Sequence, residues 1–152
     1  MKNPEVYFLI VGDGTEFGKL EQFFEENKPE NMKLMKRLAK EDYDRMIAAC
    51  DVGMIFLDYR FTIPNFPSRL LSYMQAGLPV LACTDPNTDI GNVITEGKFG
   101  WFCESNSVKD FDKNVKDACN SDLESMGENS FKYLEQNYSV EKGYEIIIGN
   151  FL

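Results

Sequence analysis

The feature that most constrains this chain is the run Val6-Tyr7-Phe8-Leu9-Ile10-Val11, stopped abruptly by Gly12-Asp13-Gly14. A strand with one wet face alternates apolar and polar residues. A continuous apolar run instead marks a strand covered on both faces, the habit of parallel sheets. Runs of the same kind recur at 32–38 (a weaker one), 52–57, 79–84 and 100–103.

Stretches of helical period separate them. Thr15 is placed to cap a helix running to Asn27, with Phe17, Leu20 and Phe24 on one stripe. Tyr43, Met46, Ile47 and Cys50 repeat at i, i+3, i+4, i+7. A short helix is predicted from Phe66 to Ala76, with Asn65 as its cap; Gly77 supplies the stop and Pro79 lies just beyond. Another helix follows the turn-rich Asp85-Pro86-Asn87-Thr88, from Ile90 to Glu96. The remainder is helical: Val108, Phe111, Val115 and Cys119 form one stripe, and Leu123, Met126, Leu134 and Tyr138 another. Ser139 is set to cap a last helix with Val140, Tyr144, Ile147, Ile148 and Phe151 on one face.

Strands alternating with helices at short spacing predict βαβ units with right-handed crossovers. The expected fold is therefore α/β: a Rossmann-like, doubly wound, mostly parallel sheet with helices on both faces and the carboxyl-terminal helices packed alongside. Ligands of such sheets sit beyond the carboxyl ends of the strands. Four loops are expected to converge there: 12–15, 38–41, 57–66 and 84–89.

Composition narrows the chemistry. The net charge of −9 opposes binding to nucleic-acid phosphates. There is no histidine, which removes the commonest general base, the usual partner of a Ser or Cys nucleophile and the favourite zinc ligand. The four cysteines, Cys50, Cys83, Cys103 and Cys119, are spaced for neither a metal knuckle nor a redox pair and each sits in an apolar stretch, as in a reduced setting. No apolar run approaches the ~20 residues of a membrane-spanning helix.

Within the loops, Gly12-Asp13-Gly14-Thr15-Glu16-Phe17-Gly18 misses the dinucleotide fingerprint by one position, because Phe17 stands where its third glycine belongs. The turn either lets strand and helix meet closely or presents backbone to a ligand, with Gly12 the nearest contact. The segment Asn65-Phe66-Pro67-Ser68-Arg69 opens a helix with free amides, a hydroxyl and a guanidinium. Such a group suits an anion, although many helix starts bind nothing. Asp42-Tyr43-Asp44 has the look of a metal motif, but acidic residues at a helix start also simply complement the dipole.

Taken in order, the apolar strand with Gly12-Asp13-Gly14, then Ala48-Ala49-Cys50-Asp51-Val52, then Pro64 through Ala82 (PNFPSRLLSYMQAGLPVLA) form a pattern. It resembles the donor-binding, carboxyl-terminal domain of group 1 retaining glycosyltransferases of the GT-B fold, especially those of lipopolysaccharide and capsule assembly. The resemblance implies a sugar carried from a nucleoside-diphosphate sugar, of UDP or GDP type, to a saccharide or lipid-linked acceptor in cell-surface polysaccharide synthesis. It implies no cofactor and no metal, since amides and basic side chains carry the diphosphate charge. Arg37 and Leu38 would border the base; Asn65, Phe66, Pro67, Ser68 and Arg69 would face diphosphate and sugar; Ser72 would lie by the ribose. No catalytic residue is assigned. The family usually places two glutamates where this chain has Pro64 and Ser72, so donor chemistry is weakened.

The resemblance further implies that residues 1–152 are one nucleotide-sugar-binding domain, a piece lacking the amino-terminal acceptor domain and the first βα unit. Such a piece is expected to be inactive alone, with acceptor contacts made through the absent domain. The expected setting is cytoplasmic, at the inner face of the plasma membrane, with peripheral membrane association of the longer protein. Two other functions fit the same residues: a non-catalytic nucleotide-sugar-binding or interaction module, and a Rossmann enzyme of the nucleotide-sugar epimerase type.

Overall fold

A computed structural model describes residues 5–63 and 65–149. The chain divides into two compact units, 1–46 and 47–152.

In the first unit the apolar runs give β1 (Phe8–Val11) and β2 (Met32–Met35), joined by α1 (Phe17–Asn27) and paired in parallel, with Phe8 opposite Met32 and Val11 opposite Met35. Thr15 does not cap α1. The helix begins at Phe17, whose amide bonds the Gly14 carbonyl at 2.9 Å, and Glu16 holds the cap position without a side-chain bond. Backbone closure of the Gly-Asp-Gly turn satisfies the donor that Thr15 was expected to serve. Strand β2 stops three residues short of Leu38, so Arg37 and Leu38 lie in the connection to α2 (Lys40–Ile47). Asp42 and Asp44 pair with Arg45 and Lys40 on the surface of that helix.

The second unit is a three-stranded parallel sheet in the order β3 (Gly53–Phe56), β4 (Val80–Thr84), β5 (Gly100–Glu104). The register sets Ile55, Ala82 and Phe102 on one row, and Phe56, Cys83 and Cys103 on the next. Successive side chains of a strand point to opposite faces, so these rows face opposite ways. On the first face lie α3 (Arg69–Gln75), whose Tyr73 ring fills the space above Gly53, and α4 (Ile90–Gly97), whose Gly91 meets the Phe102 ring. On the second lies α5 (Val108–Cys119), with Phe111 at 5.6 Å from Phe56 between ring centroids. The expected parallel α/β architecture with helices on both faces is thus present in this unit. Every residue of β4 is buried, which is why its sequence carries no polar alternation. The Cys83 and Cys103 sulfurs sit 3.5 Å apart as free thiols, and burial pushes both thiols above their ordinary pKa.

Helix α6 (Leu123–Tyr138) packs against α3, and α7 (Val140–Gly149) follows, with Ser139 Oγ accepting from the Lys142 amide as a cap. The apolar face forecast for α7 is not covered: Val140 and Tyr144 are 84% and 65% exposed. Periodicity fixes which side chains share a face; it does not supply a partner for that face. Phe151, forecast on the same face, lies outside the described residues.

The α3–α6 contact is unusually close. Gly77 turns the chain out of α3 with φ +66°, and its carbonyl lies where a side chain on Gly127 would stand, 2.1 Å from the ideal Cβ. A methyl group there must push backbone apart. Gly127→Ala is therefore expected to lose about 1–3 kcal/mol by overcrowding, despite the ~1 kcal/mol that alanine gains in a helix interior. Gly143→Ala, in open space on α7, should be neutral or stabilising. Urea unfolding of the two variants checks the pair, and an equal response would refute the close-packing assignment.

Candidate functional site

In parallel sheets the carboxyl ends of the strands face one way, so each unit gathers its own loops at one end. In the first unit those loops are 12–16 and 36–39. Gly12 donates its amide to the Met35 carbonyl at 3.1 Å, which ties the end of β1 to the end of β2. Together with Ile10, Asp13, Phe17 and Leu20 it lines a shallow depression of about 170 Å³. Arg37 is exposed and Leu38 half-buried in the second of these loops.

In the second unit the loops are 57–68 and 85–89, and they are bonded to one another. The Thr88 hydroxyl donates to the Asn65 carbonyl at 2.8 Å, and Asn87 Nδ2 donates to the Phe61 carbonyl at 3.0 Å. The turn itself is fixed by Asp85, which is fully buried; its Oδ1 accepts the Asn87 amide at 2.8 Å. Behind the loop, the ring of Tyr138 at the end of α6 packs on Phe66 with centroids 5.7 Å apart, and Tyr133 continues the stack at 6.3 Å. Burial against these rings raises the Tyr138 hydroxyl pKa, helped by Tyr133 and Glu96.

The helix start differs in detail from expectation. Helix α3 begins at Arg69 rather than Phe66, and Ser68, not Asn65, holds the cap position. Asn65 cannot act as the cap because three residues separate it from the helix, and its carbonyl is engaged by Thr88. A tight turn precedes the helix: the Leu70 amide bonds the Pro67 carbonyl at 3.0 Å and the Leu71 amide bonds that of Ser68 at 3.2 Å. The amides of Ser68 and Arg69 have no backbone acceptor among the described residues, and the Ser68 side chain makes no cap bond. Asn65, Phe66, Ser68 and Arg69 are exposed, Pro67 is buried, and Ser72 is half-buried one helical turn beyond Ser68. Pro64, where the resemblance expects a glutamate, lies outside the described residues.

Electrostatics single out one cation. Arg60, in the same loop, is held by Asp58: its Nε donates to Asp58 Oδ1 at 2.9 Å, and its guanidinium lies 5.9 Å from the centre of the Tyr59 ring. Arg69 forms no ion pair among the described residues. The segment 65–69 thus offers two amides, a hydroxyl and a free guanidinium to solvent, the donor set that an anionic group with several acceptor oxygens can use. A wider concavity, about 450 Å³, lies at the opposite end of β4, lined by Gly77, Glu124, Gly127, Glu128 and Phe131. Its charged groups are carboxylates, which repel anions, so size does not make it the better candidate.

The sequence placed 84–89 among the loops converging at the ligand end but gave 85–88 no role beyond a turn, and gave Tyr138 only a place on a stripe. Turn composition reveals that a turn forms there, but not that its side chains reach a loop more than twenty residues upstream.

Against known proteins, the family pattern described as "Glycosyl transferases group 1" matches residues 1–133. The chain is 28% identical over 139 residues to a Pseudomonas aeruginosa protein named "Probable glycosyltransferase WbjE", covering 91% of this chain and 35% of that protein. The crystal structure of Anabaena Alr3699/HepE in complex with UDP superposes with a TM-score of 0.76 at 19% identity, over 98% of this chain and 41% of that one. WaaG, described as a glycosyltransferase involved in lipopolysaccharide biosynthesis, gives 0.62 at 20% identity over 94% and 38%. These last two likenesses establish the fold. The chain spans between about a third and two fifths of the length of these proteins.

The Asp58–Arg60 pairing has a measurable signature. Hydrogen bonds from the Arg60 side chain and amide hold the Asp58 carboxyl down to about 2. Carbon-detected NMR titration is expected to find that midpoint, and Arg60→Ala should raise it toward the ordinary carboxylate range, the hydrogen bond from the residue-60 amide remaining. An unchanged midpoint in the variant would mean that Arg60 is free in solution, leaving Arg69 no longer the one unpaired cation of the loop.

Proposed function

This chain belongs to the group 1 glycosyl transferases, and from that premise we propose that it binds the nucleoside-diphosphate sugar from which a sugar is transferred. The observation that carries the reading is the exposed donor set at 65–69, standing at the carboxyl end of a parallel sheet and tied to the neighbouring loop by Thr88 and Asn87.

In this reading the Ser68 and Arg69 amides, the Ser68 hydroxyl and the Arg69 guanidinium take the diphosphate. Their hydrogen bonds strengthen as negative charge builds on the departing diphosphate, which lowers the barrier to transfer. The binding needs no metal, because these donors carry the charge themselves. Ser72, one helical turn beyond Ser68, lies near the ribose. The donor is of UDP or GDP type; the likeness to a structure holding UDP supports the first. The acceptor is a saccharide or a lipid-linked saccharide. The likeness to WaaG, described as acting in lipopolysaccharide biosynthesis, supports a place in cell-surface polysaccharide assembly, on the cytoplasmic side of the membrane. None of the described helices is long and apolar enough to cross a membrane.

One observation favours a second reading. Ser72 stands where the resemblance expects a carboxylate, and a hydroxyl accepts ribose hydrogen bonds far more weakly than a carboxylate does. A module that binds the donor without transferring the sugar would tolerate this change.

The test is binding. Isothermal titration is expected to show UDP or GDP binding that persists in EDTA, with no heat from NAD. Arg69→Ala should weaken it roughly ten- to a hundredfold, the loss of one charge-assisted hydrogen-bonded contact. Binding of NAD alone, or a nucleotide affinity indifferent to Arg69, would overturn the proposal. Sugar release from a bound UDP- or GDP-sugar separates transferase from binding module.

A further inference from the structure

The segment 65–69 has few means of holding its own shape. Helix α3 is seven residues long, its cap position makes no side-chain bond, and Asn65 and Phe66 are exposed. What fixes it comes from the turn after β4. Thr88 is only 8% exposed, so its hydroxyl has given up water for the 2.8 Å bond to the Asn65 carbonyl. Asn87 adds a second tether to the Phe61 carbonyl. Asp85 organises both: one carboxylate oxygen takes the Asn87 amide, Thr84 Oγ1 donates to the Asp85 carbonyl at 3.1 Å, and the other carboxylate oxygen is buried without a partner among the described residues.

Burying a carboxylate with an unused oxygen is costly. A turn that served only to connect β4 to α4 could be made from exposed residues at lower cost. The expense is understandable if the turn has a second task.

We propose that Thr88 and Asp85 are positioning residues of the donor site. Asp85 shapes the turn so that Thr88 and Asn87 meet the 57–68 loop, and Thr88 pins the Asn65 carbonyl. The chain then leaves Asn65 in the one direction that presents the Ser68 and Arg69 donors together. Without the pin the segment samples other orientations, and the diphosphate must bear the cost of ordering it. The inference rests on the proposed function. It adds that affinity for the diphosphate, and not for the nucleoside, depends on residues that touch neither.

Titration of the full chain with UDP and GDP, and with uridine and guanosine as the matching nucleosides, tests this. Thr88→Val keeps the shape and deletes the hydroxyl. It should cost about tenfold in affinity for the nucleoside diphosphate, near 1.4 kcal/mol, and leave nucleoside affinity and the far-UV circular dichroism unchanged. Thr88→Ser should restore binding. Asp85→Asn, which keeps the acceptor for the Asn87 amide, should bind like the parent, whereas Asp85→Ala should behave like Thr88→Val. If the valine variant does not fold, Asn87→Ala, altering an exposed side chain, should still show a selective loss of roughly two- to fourfold, the size of one modest hydrogen bond.

Equal loss for nucleoside and diphosphate, or no loss in the folded Thr88 and Asn87 variants, would overturn the positioning role while leaving the proposed function standing. Failure of the parent chain to bind any of the four ligands would remove the proposed function, and this inference with it.

Discussion

Strand β4 is the constraint on which the second unit depends. Each of its five residues is buried, and it bonds β3 on one edge and β5 on the other. A strand so placed can have no polar side chain without a partner and no uncovered face. Helices must therefore lie on both sides, and the two that link the strands, α3 and α4, must return the chain to the same end of the sheet to begin the next parallel strand. That requirement brings the loops after β3 and β4 side by side. The two loops are then close enough for Thr88 and Asn87 to reach carbonyls at Asn65 and Phe61. The geometry of the donor segment is thus a consequence of burying Val80 to Thr84, several steps removed.

The same logic explains which parts were legible in the sequence. The runs 6–11, 52–57, 79–84 and 100–103 marked the strands because parallel sheets select apolar residues on both faces, but only β4 is buried throughout: Leu9 of β1 and Phe56 of β3 are exposed, so the first run is not covered on both faces as expected. The end of β2 was not legible, because Lys36 and Arg37 break the run without a turn residue to mark the boundary. Helix starts were misplaced at Thr15 and Asn65: at the first the Gly14 carbonyl takes the Phe17 amide, and at the second the chain makes a tight turn through Pro67 and Ser68, whose carbonyls take the Leu70 and Leu71 amides, so the helix begins only at Arg69. Capping residues state a preference; they do not record which group reaches the orphan amide or carbonyl first. The uncovered face of α7 is the same lesson in another form, since a helical period specifies a face but not what covers it.

For the proposed site, the hydrogen-bond donors at 65–69 are readable in the sequence, but the loop contacts beside them are not. Asn65 to Arg69 combine a proline turn, a hydroxyl and a guanidinium, and this local chemistry is readable in five consecutive letters. Asp85 and Thr88 act from twenty and more positions away, through a contact that exists only once the sheet has formed. Nothing in Asp85-Pro86-Asn87-Thr88 distinguishes a turn that merely reverses direction from one whose side chains brace a neighbour. Ordinary turn residues conceal such roles because the same capacity for local hydrogen bonding serves both.

The proposed anion site looks contradictory on a chain of net charge −9 until the range of the charges is considered. At physiological salt, exposed charges farther apart than about 8 Å are largely screened, so the bulk acidity governs encounters with extended polyanions more than contact with a small one. Several of the acids are also engaged on their own helices, as Asp112 with Lys116 and Glu145 with Lys142. What a diphosphate would meet at short range is decided by a few groups. Arg60 is neutralised by its bond to Asp58, while Arg69 and the two amides beside it are not. An acidic chain can therefore reject nucleic acid and still hold a nucleotide, provided that its unpaired donors are fixed in one place; in this fold the fixing is done from the turn after β4.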